Sequence, residues 1–369
     1  MTHKVVCVAA ARPNFMKIKP VMDALEARQV DVDLVHTGQH YDAQMSDVFF
    51  SDLGLRQPDH HLGVGSGSHA AQTGNTMIAF EGLLEEVAAD AVVVAGDVNA
   101  TLACAIVGAK AGLRVAHVEA GLRSRDWAMP EEVNRVVADR VADLLFAPSE
   151  DAMENLRAEG YRKSQIHLAG NVMIDSLLAN VERASARPVL AEQGLTAGQY
   201  GLVTLHRPSN VDEPAVLSDL LGTLEIVGAD LPLLFSAHPR TRRRLEEIGV
   251  PEGVIMTGPL GYLDFLCLQS SAALILTDSG GIQEETTALG VPCLTLRTTT
   301  ERPIAISEGT NRLVGLDRRA ILEATADVLE NGVEIRCPQL WDGQAGSRIA
   351  EVLLGCLADD DFPRPTGRP

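Results

Sequence analysis

Short runs of apolar, often β-branched residues recur along the chain, each followed by a longer stretch with helical spacing. In the first half the runs are Val5–Ala9, Val32–His36, Ala91–Ala95, Arg114–Val118 and Leu144–Ala147. In the second half they are Gly201–Leu205, Leu231–Ser236, Val254–Thr257, Ala273–Thr277 and Pro292–Leu296. Most are apolar on both faces, the pattern of strands covered on both sides. Helices are predicted between them at Met16–Ala27, Ala70–Val87, Thr101–Ala111, Glu131–Ala142, Pro214–Gly228, Ile282–Leu289 and Arg319–Leu329. This alternation predicts parallel α/β sheets. The two series read as a duplicated layout, two Rossmann-like units joined near residues 165–195. Ser185–Gly198 breaks the alternation and reads as a linker or a peripheral insert. Ser347–Leu357 reads as a helix, and the Asp- and Pro-rich tail after it is expected to fray.

Composition narrows the class. The 369 residues are 46% hydrophobic, 22% charged and 4% aromatic, which excludes a disordered or collagen-like chain. A chain this long can bury two cores. Thirty-one basic against 50 acidic residues give a net charge of −19. That excludes a general nucleic-acid coat, which needs a basic footprint, but leaves room for one locally basic pocket. The six cysteines are scattered without a CxxC pair, and at least four lie in apolar runs, which points to a reducing compartment. Met-Thr-His-Lys leads straight into a strand, without the apolar core of a signal peptide. No apolar stretch has the length of a membrane span. The expectation is a soluble cytoplasmic protein with no membrane partner.

The chemistry gathers at strand ends, where open parallel sheets bind ligands. Ala91–Ala95 is followed by Gly96-Asp97. Arg114–Val118 carries His117 and ends at Glu119. Gly201–Leu205 ends at His206-Arg207, Leu231–Ser236 at Ala237-His238-Pro239-Arg240, and Ala273–Thr277 at Asp278-Ser279-Gly280-Gly281. Val5–Ala9 runs into Ala11-Arg12-Pro13, with Lys17 one turn on. Any one of these is ordinary turn chemistry. Six together point to a cleft rich in acid–base groups.

Asp278–Glu285 is the sharpest local signal. A strand leads through small residues into a helix, whose free N–H groups suit phosphate. It is neither GxGxxG nor a P-loop. A plain cap, with Asp278 or Ser279 closing the helix, is the competing reading. Arg12 and Lys17 in a first helical turn oppose the macrodipole and so suggest an anion there, with surface solvation as the alternative. Pro130-Glu131-Glu132 is explained as a helix start; only its place after the Glu119 strand makes Glu131 a catalytic candidate. His60 and His61 fall in a loop. No cluster has metal-ligand spacing, so no metal is expected, and there is no GxSxG elbow.

These segments resemble the non-hydrolysing UDP-N-acetylglucosamine 2-epimerase family. The likeness runs from Lys4 to about Leu357. It is carried by Ala11-Arg12-Pro13 with Lys17-Ile18-Lys19-Pro20, Thr37–Asp42, Gly96-Asp97, His117–Arg123, Pro130–Arg135, Gly170-Asn171, Thr204–Arg207, Asp278–Glu285 and Thr300–Pro303. It implies a GT-B architecture, two Rossmann-like domains with parallel sheets facing across a central cleft. The expected division is 1–168, 169–345, a helix over 346–358 returning toward the first domain, and a flexible tail over 359–369. It further implies a homodimer acting on a UDP-sugar, with no nicotinamide or metal cofactor.

The resemblance also implies a reaction. The sugar C2–H has no adjacent carbonyl, so it is not acidic. The family eliminates UDP across C1–C2 to give 2-acetamidoglucal, then adds UDP back with protonation from the other face. Asp97, Glu119 and Glu131 correspond to the carboxylates around the sugar, without a division into base and acid, and His206 to the group beside the glycosidic oxygen. Arg12, His238, Ser279, Gly280 and Gly281 correspond to nucleotide or diphosphate contacts. Lys17, Arg135 and Arg302 correspond to sugar or diphosphate contacts, Glu285 to a ribose contact and Phe265 to a uracil neighbour. The segment Gln39–Met45 is two residues longer than the Gln-His-x-x-Met form tied to a second, activating UDP-GlcNAc site, and no arginine stands near Ser68–Thr73. Activation by a second substrate molecule is therefore not expected. The Gln-His-Tyr-Asp form also occurs in relatives acting on UDP-2,3-diacetamido-glucuronic acid. That substrate, and a non-catalytic UDP-sugar-binding regulator, are the alternatives.

Overall fold

The computed structural model describes residues 3–10, 12–38, 52–237, 239–258 and 260–359. The chain divides into two compact units, Met1–Ser176 with Gln339–Pro369, and Leu177–Pro338.

The first unit is built on a seven-stranded sheet of β1 (Lys4–Ala9), β2 (Asp31–His36), β3 (His60–His61), β4 (Ala91–Ala95), β5 (Arg114–Val118), β6 (Leu144–Ala147) and β7 (Ile166–Leu168), in the order β3-β2-β1-β4-β5-β6-β7. Every pairing is parallel. Every residue of β4 is buried, as the run of apolar residues on both faces requires. Val6, Val92, Val94, Val115 and Leu145 join Phe80 and Leu156 from the flanking helices in one core.

The second unit repeats the plan with six strands, β8 (Gly201–Thr204), β9 (Leu233–Ser236), β10 (Val254–Thr257), β11 (Leu274–Thr277), β12 (Cys293–Thr295) and β13 (Asn311–Leu313), in the order β10-β9-β8-β11-β12-β13. These pairings are parallel too. Strand order reverses between β1 and β4 in one unit and between β8 and β11 in the other. At such a reversal the flanking connections diverge to opposite faces, which leaves a crevice beyond the carboxyl ends. The groups after β1, β4, β8 and β11 therefore stand at the two crevices.

Three strands went unpredicted. β3, β7 and β13 are two or three residues long and carry His60, His61, His167, Asn311 or Arg312. Their pairing is decided by the neighbouring strand, not by local apolar pattern. Ser185–Gly198 holds a one-turn helix at Val189–Glu192, packed beside the Tyr262–Ser270 helix.

The first unit ends at Ser176, eight residues beyond the expected boundary, for a visible reason. Asp175 accepts hydrogen bonds from Ala345 N (3.1 Å) and Gly346 N (2.7 Å), and Ser176 Oγ donates to Met16 O (2.6 Å). The returning chain is anchored by Trp341 Nε1, which donates to Pro148 O at 2.9 Å. The Ala345–Ala358 helix then lies on the Arg12–Glu26 helix, with Gly346 so close to Pro20 that a Cβ would overlap its carbonyl. Among the described residues no helix is long and apolar enough to cross a membrane.

Candidate functional site

In the first unit the crevice groups converge around Gly96. This residue follows β4 with φ +70°, and a Cβ there would lie 2.9 Å from Lys17 Nζ and 3.3 Å from Glu119 Oε2. Glycine is thus required both by the backbone and by the close approach. Lys17, one turn into the first helix, pairs with the Glu119 carboxylate, and both side chains are largely buried. Glu119 adopts φ +65° at the end of β5. A non-glycine residue held there stores roughly 1–3 kcal/mol of strain, a cost the surrounding structure must offset.

Asp97 follows Gly96 and is held from the Pro130–Val141 helix. Arg135 donates to Asp97 Oδ2 at 2.6 Å and to Glu132 Oε2 at 2.8 Å, and Asn134 Nδ2 donates to Asp97 O at 2.9 Å. Glu131 stands in the first turn of this helix, partly exposed and one turn before Arg135. Its neighbour Glu132 is structural. Buried, it accepts from Ser124 N, Ser124 Oγ and Arg125 N, each at 2.9 Å. Burial alone would raise its pKa, but these donors and Arg135 hold it below the ordinary carboxylate value. The sequence offered Glu132 only as a helix-dipole acid.

In the second unit His206 and Arg207 follow β8, and Asp278 follows β11. Asp278 is fully buried. Its carboxylate accepts from His206 N (3.1 Å), Arg207 N (3.0 Å) and Asn210 Nδ2 (3.1 Å), and lies 2.7 Å from His206 Nδ1. Although burial opposes charge here, the His206 contact and the two backbone donors keep the Asp278 carboxyl below its ordinary value. With Nδ1 facing the carboxylate, the second ring nitrogen, Nε2, is left for a ligand, on a side chain that is 54% exposed. Asp278 thus does not cap the next helix. Ser279 occupies the cap position and makes no side-chain cap hydrogen bond.

The Gly280–Leu289 helix begins at the same crevice. A Cβ at Gly280 would sit 2.5 Å from Glu301 Oε1, whereas one at Gly281 would meet nothing within 4 Å. Gly280 therefore makes room for packing, and Gly281 leaves open space at the helix start. Glu301 receives Arg297 Nη2 at 2.8 Å. Despite its burial, Arg302 and Arg297 hold the Glu301 carboxyl down to about 2. Arg302 is itself buried and committed to Glu284, Nε to Oε1 2.7 Å. Glu285, one turn into the helix, is buried, and burial lifts its carboxyl to about 7, with the Glu284 charge adding to the rise and a Gln269 hydrogen bond opposing it. Phe265 is half-buried on the Tyr262–Ser270 helix, which packs beside the Gly280–Leu289 helix.

The structure thus joins Lys17, Asp97, Glu119 and Arg135 in one crevice, with Glu131 one turn away. It joins His206, Ser279, Gly280 and Gly281 around the other. The Arg12 side chain, His238 and Gln39–Met45 lie outside the described residues. Asp278 and Glu132 shape the site, although the sequence marked the first only as a strand-end or cap residue and the second only as a helix-start acid. Each takes its meaning from a partner distant in the chain or from a loop, and no local pattern marks that. Among the described residues no group of three or more His, Cys, Asp or Glu is arranged to hold a metal ion.

A family model described as UDP-N-acetylglucosamine 2-epimerase matches residues 23–354. The UDP-N-acetylglucosamine 2-epimerase of Methanocaldococcus jannaschii is 40% identical over 361 residues, 95% of this chain and 98% of that protein. A crystal structure of the UDP-GlcNAc 2-epimerase of that organism, in complex with UDP-GlcNAc and UDP, matches with a TM-score of 0.87 over 95% of this chain and 99% of the other. The UDP-2,3-diacetamido-2,3-dideoxy-D-glucuronate 2-epimerase of Pseudomonas aeruginosa is 38% identical over 354 residues, covering 95% and 99%.

Proposed function

The chain belongs to the UDP-N-acetylglucosamine 2-epimerase family, and we propose that it is an isomerase interconverting UDP-GlcNAc and UDP-ManNAc. The observation that carries this reading is the meeting of Asp97, Glu119 and Lys17 around Gly96. Inversion at C2 needs a base for a weakly acidic hydrogen and an acid for the opposite face. Asp97, Glu119 and Glu131 supply carboxyl groups for both tasks. Lys17 and Arg135 offset their charge. Loss of UDP across C1–C2 places growing charge on the diphosphate. Preorganised donors stabilise such charge without moving. His206 Nε2 and the N–H groups of Gly280 and Gly281 would supply them, with Glu285 at the ribose and Phe265 at the uracil. The 2-acetamidoglucal intermediate and UDP stay bound until UDP adds back. Water must be excluded meanwhile. The enzyme would act in the cytoplasm as a homodimer and supply UDP-ManNAc for a surface polysaccharide.

Purified protein given UDP-GlcNAc in heavy water should form UDP-ManNAc and place deuterium at C2 of both sugars. Absence of both would end this reading. The 38% identity to a diacetamido-glucuronate epimerase supports a second substrate. Side-by-side kcat/KM values for the two UDP-sugars decide between them.

A further inference from the structure

Beneath the Asp97 and Glu119 turns lies a buried histidine that the proposed reaction does not use. His117 on β5 is 1% exposed. Its Nε2 lies 2.8 Å from Gly96 O, the carbonyl of the peptide that leads into Asp97. A carbonyl can only accept, so Nε2 carries a hydrogen. Its Nδ1 lies 2.6 Å from Asp139 Oδ1. Asp139 is itself fully buried, and its Oδ2 accepts from Gly121 N (3.1 Å) and Arg123 Nη2 (2.7 Å). Gly121 and Arg123 belong to the turn that begins at Glu119.

Asp139 also shares a helix face with the groups above it. Glu131, Arg135 and Asp139 follow one another at intervals of four, so they line one side of the Pro130–Val141 helix. Arg135 from this face grips Asp97. The hydrogen-bonded chain therefore reaches two carboxylate-bearing turns, that of Asp97 through the Gly96 carbonyl and that of Glu119 through Gly121 and Arg123, and Asp139 stands on the helix that carries Glu131. The Asp139 carboxyl stays ionised. Burial opposes this, but the charges and hydrogen bonds of His117 and Arg123 prevail and hold it below its ordinary value.

We propose that His117 and Asp139 form a positioning pair that sets the three carboxylate-bearing segments in register without touching the substrate. Asn134 and the Gly96 amide each hold one side of this junction, at Asp97 O and Val118 O, and the pair is bonded to both turns at once, through Gly96 O and Gly121 N. A misplacement of about 1 Å at such a centre can cost on the order of 10²-fold in rate.

The kinetic test rests on the epimerase reading; the exchange test does not. In the full chain, Asp139→Asn and His117→Asn should each lower kcat for UDP-GlcNAc about 10²-fold and leave KM within about threefold, because alignment and not binding is lost. His117→Gln, whose longer amide can still donate toward Gly96 O, should retain more activity than His117→Asn. Near-normal kcat in folded variants, KM rising in step with the loss, or the reverse order of Gln and Asn would overturn the proposal. Independently, the Gly96 amide donates to Val118 O at 3.0 Å and reports the register of the two turns. In His117→Asn its hydrogen exchange should quicken at least about tenfold while β1 and β6 amides keep their rates. Unchanged exchange at Gly96, or equal loss across the whole sheet, would refute a positioning role. If the wild-type chain epimerises no UDP-sugar, the reaction assignment fails, and the exchange result still decides the pair.

Discussion

Replacing Glu285 with Gln should stabilise the second unit, and increasingly so as pH rises from 4.5 to about 7. Glu285 is buried, and its carboxyl is raised from 4.5 to about 7, chiefly by burial, then by the Glu284 charge, against a Gln269 hydrogen bond. A group whose folded pKa is raised adds full stability below the unfolded value and loses it as pH climbs through the folded value. The folded chain thus carries a penalty that grows between pH 4.5 and 7. At ~1.4 kcal/mol for each pH unit between the two values, the penalty at pH 8 is about 3 kcal/mol. Glutamine keeps the shape and never ionises. Urea denaturation of both proteins, followed by far-UV circular dichroism at pH 5, 6, 7 and 8, should give a difference below about 1 kcal/mol at pH 5 that widens to about 3 kcal/mol by pH 7 and changes little beyond it. Tryptophan fluorescence follows the first unit in the same samples, since Trp127 and Trp341 both belong there. A difference that does not change with pH would show a carboxyl that folding does not shift, and a Gln variant less stable at pH 8 one that is favourably ionised; either result refutes the reasoning. The same variant should bind UDP more weakly if this carboxyl holds the ribose, so greater stability would come with lower affinity.

Asp278→Asn removes the carboxylate that faces His206 and puts an amide N–H against donors from His206, Arg207 and Asn210. It should lower kcat by about 10²-fold or more and destabilise the fold by roughly 3 kcal/mol, read by steady-state kinetics and denaturant midpoint. Gly280→Ala and Gly281→Ala should part company. The first pushes a methyl against Glu301 and should cost about 1–3 kcal/mol in a melt. The second meets no protein atom, should leave the melt unchanged, and should raise KM for the UDP-sugar about tenfold if a phosphate occupies that space. Glu119→Gln should fold normally and lose turnover by about 10²–10⁴-fold in the coupled epimerase assay; near-normal turnover removes Glu119 from the chemistry.

The sheets were legible wherever strands were covered on both faces. β4, with Ala-Val-Val-Val-Ala, announces itself, and so does β9 with Leu-Leu-Phe-Ser. Asn311-Arg312-Leu313 does not, because its place in the sheet comes from β12 and not from its own side chains. The site was legible as a set of strand-end residues and illegible as a set of pairings. Asp278 has the sequence context of a cap, and only folding brings it to His206, 72 positions earlier. Glu132 and Glu131 look alike in sequence; their roles separate once Glu132 turns to Ser124 and Arg125. Arg302 stands in a recognisable motif, yet its commitment to Glu284 follows from a helix start and a loop meeting in three dimensions.

The hydrogen bonds from Ala345 and Gly346 to Asp175 have an engineering consequence. They clasp the point of departure to the point of return, so the chain leaves and re-enters the first unit at one place. A glycine linker from Ser176 to Gln339 would excise Leu177–Pro338 and keep the clasp that closes the first unit.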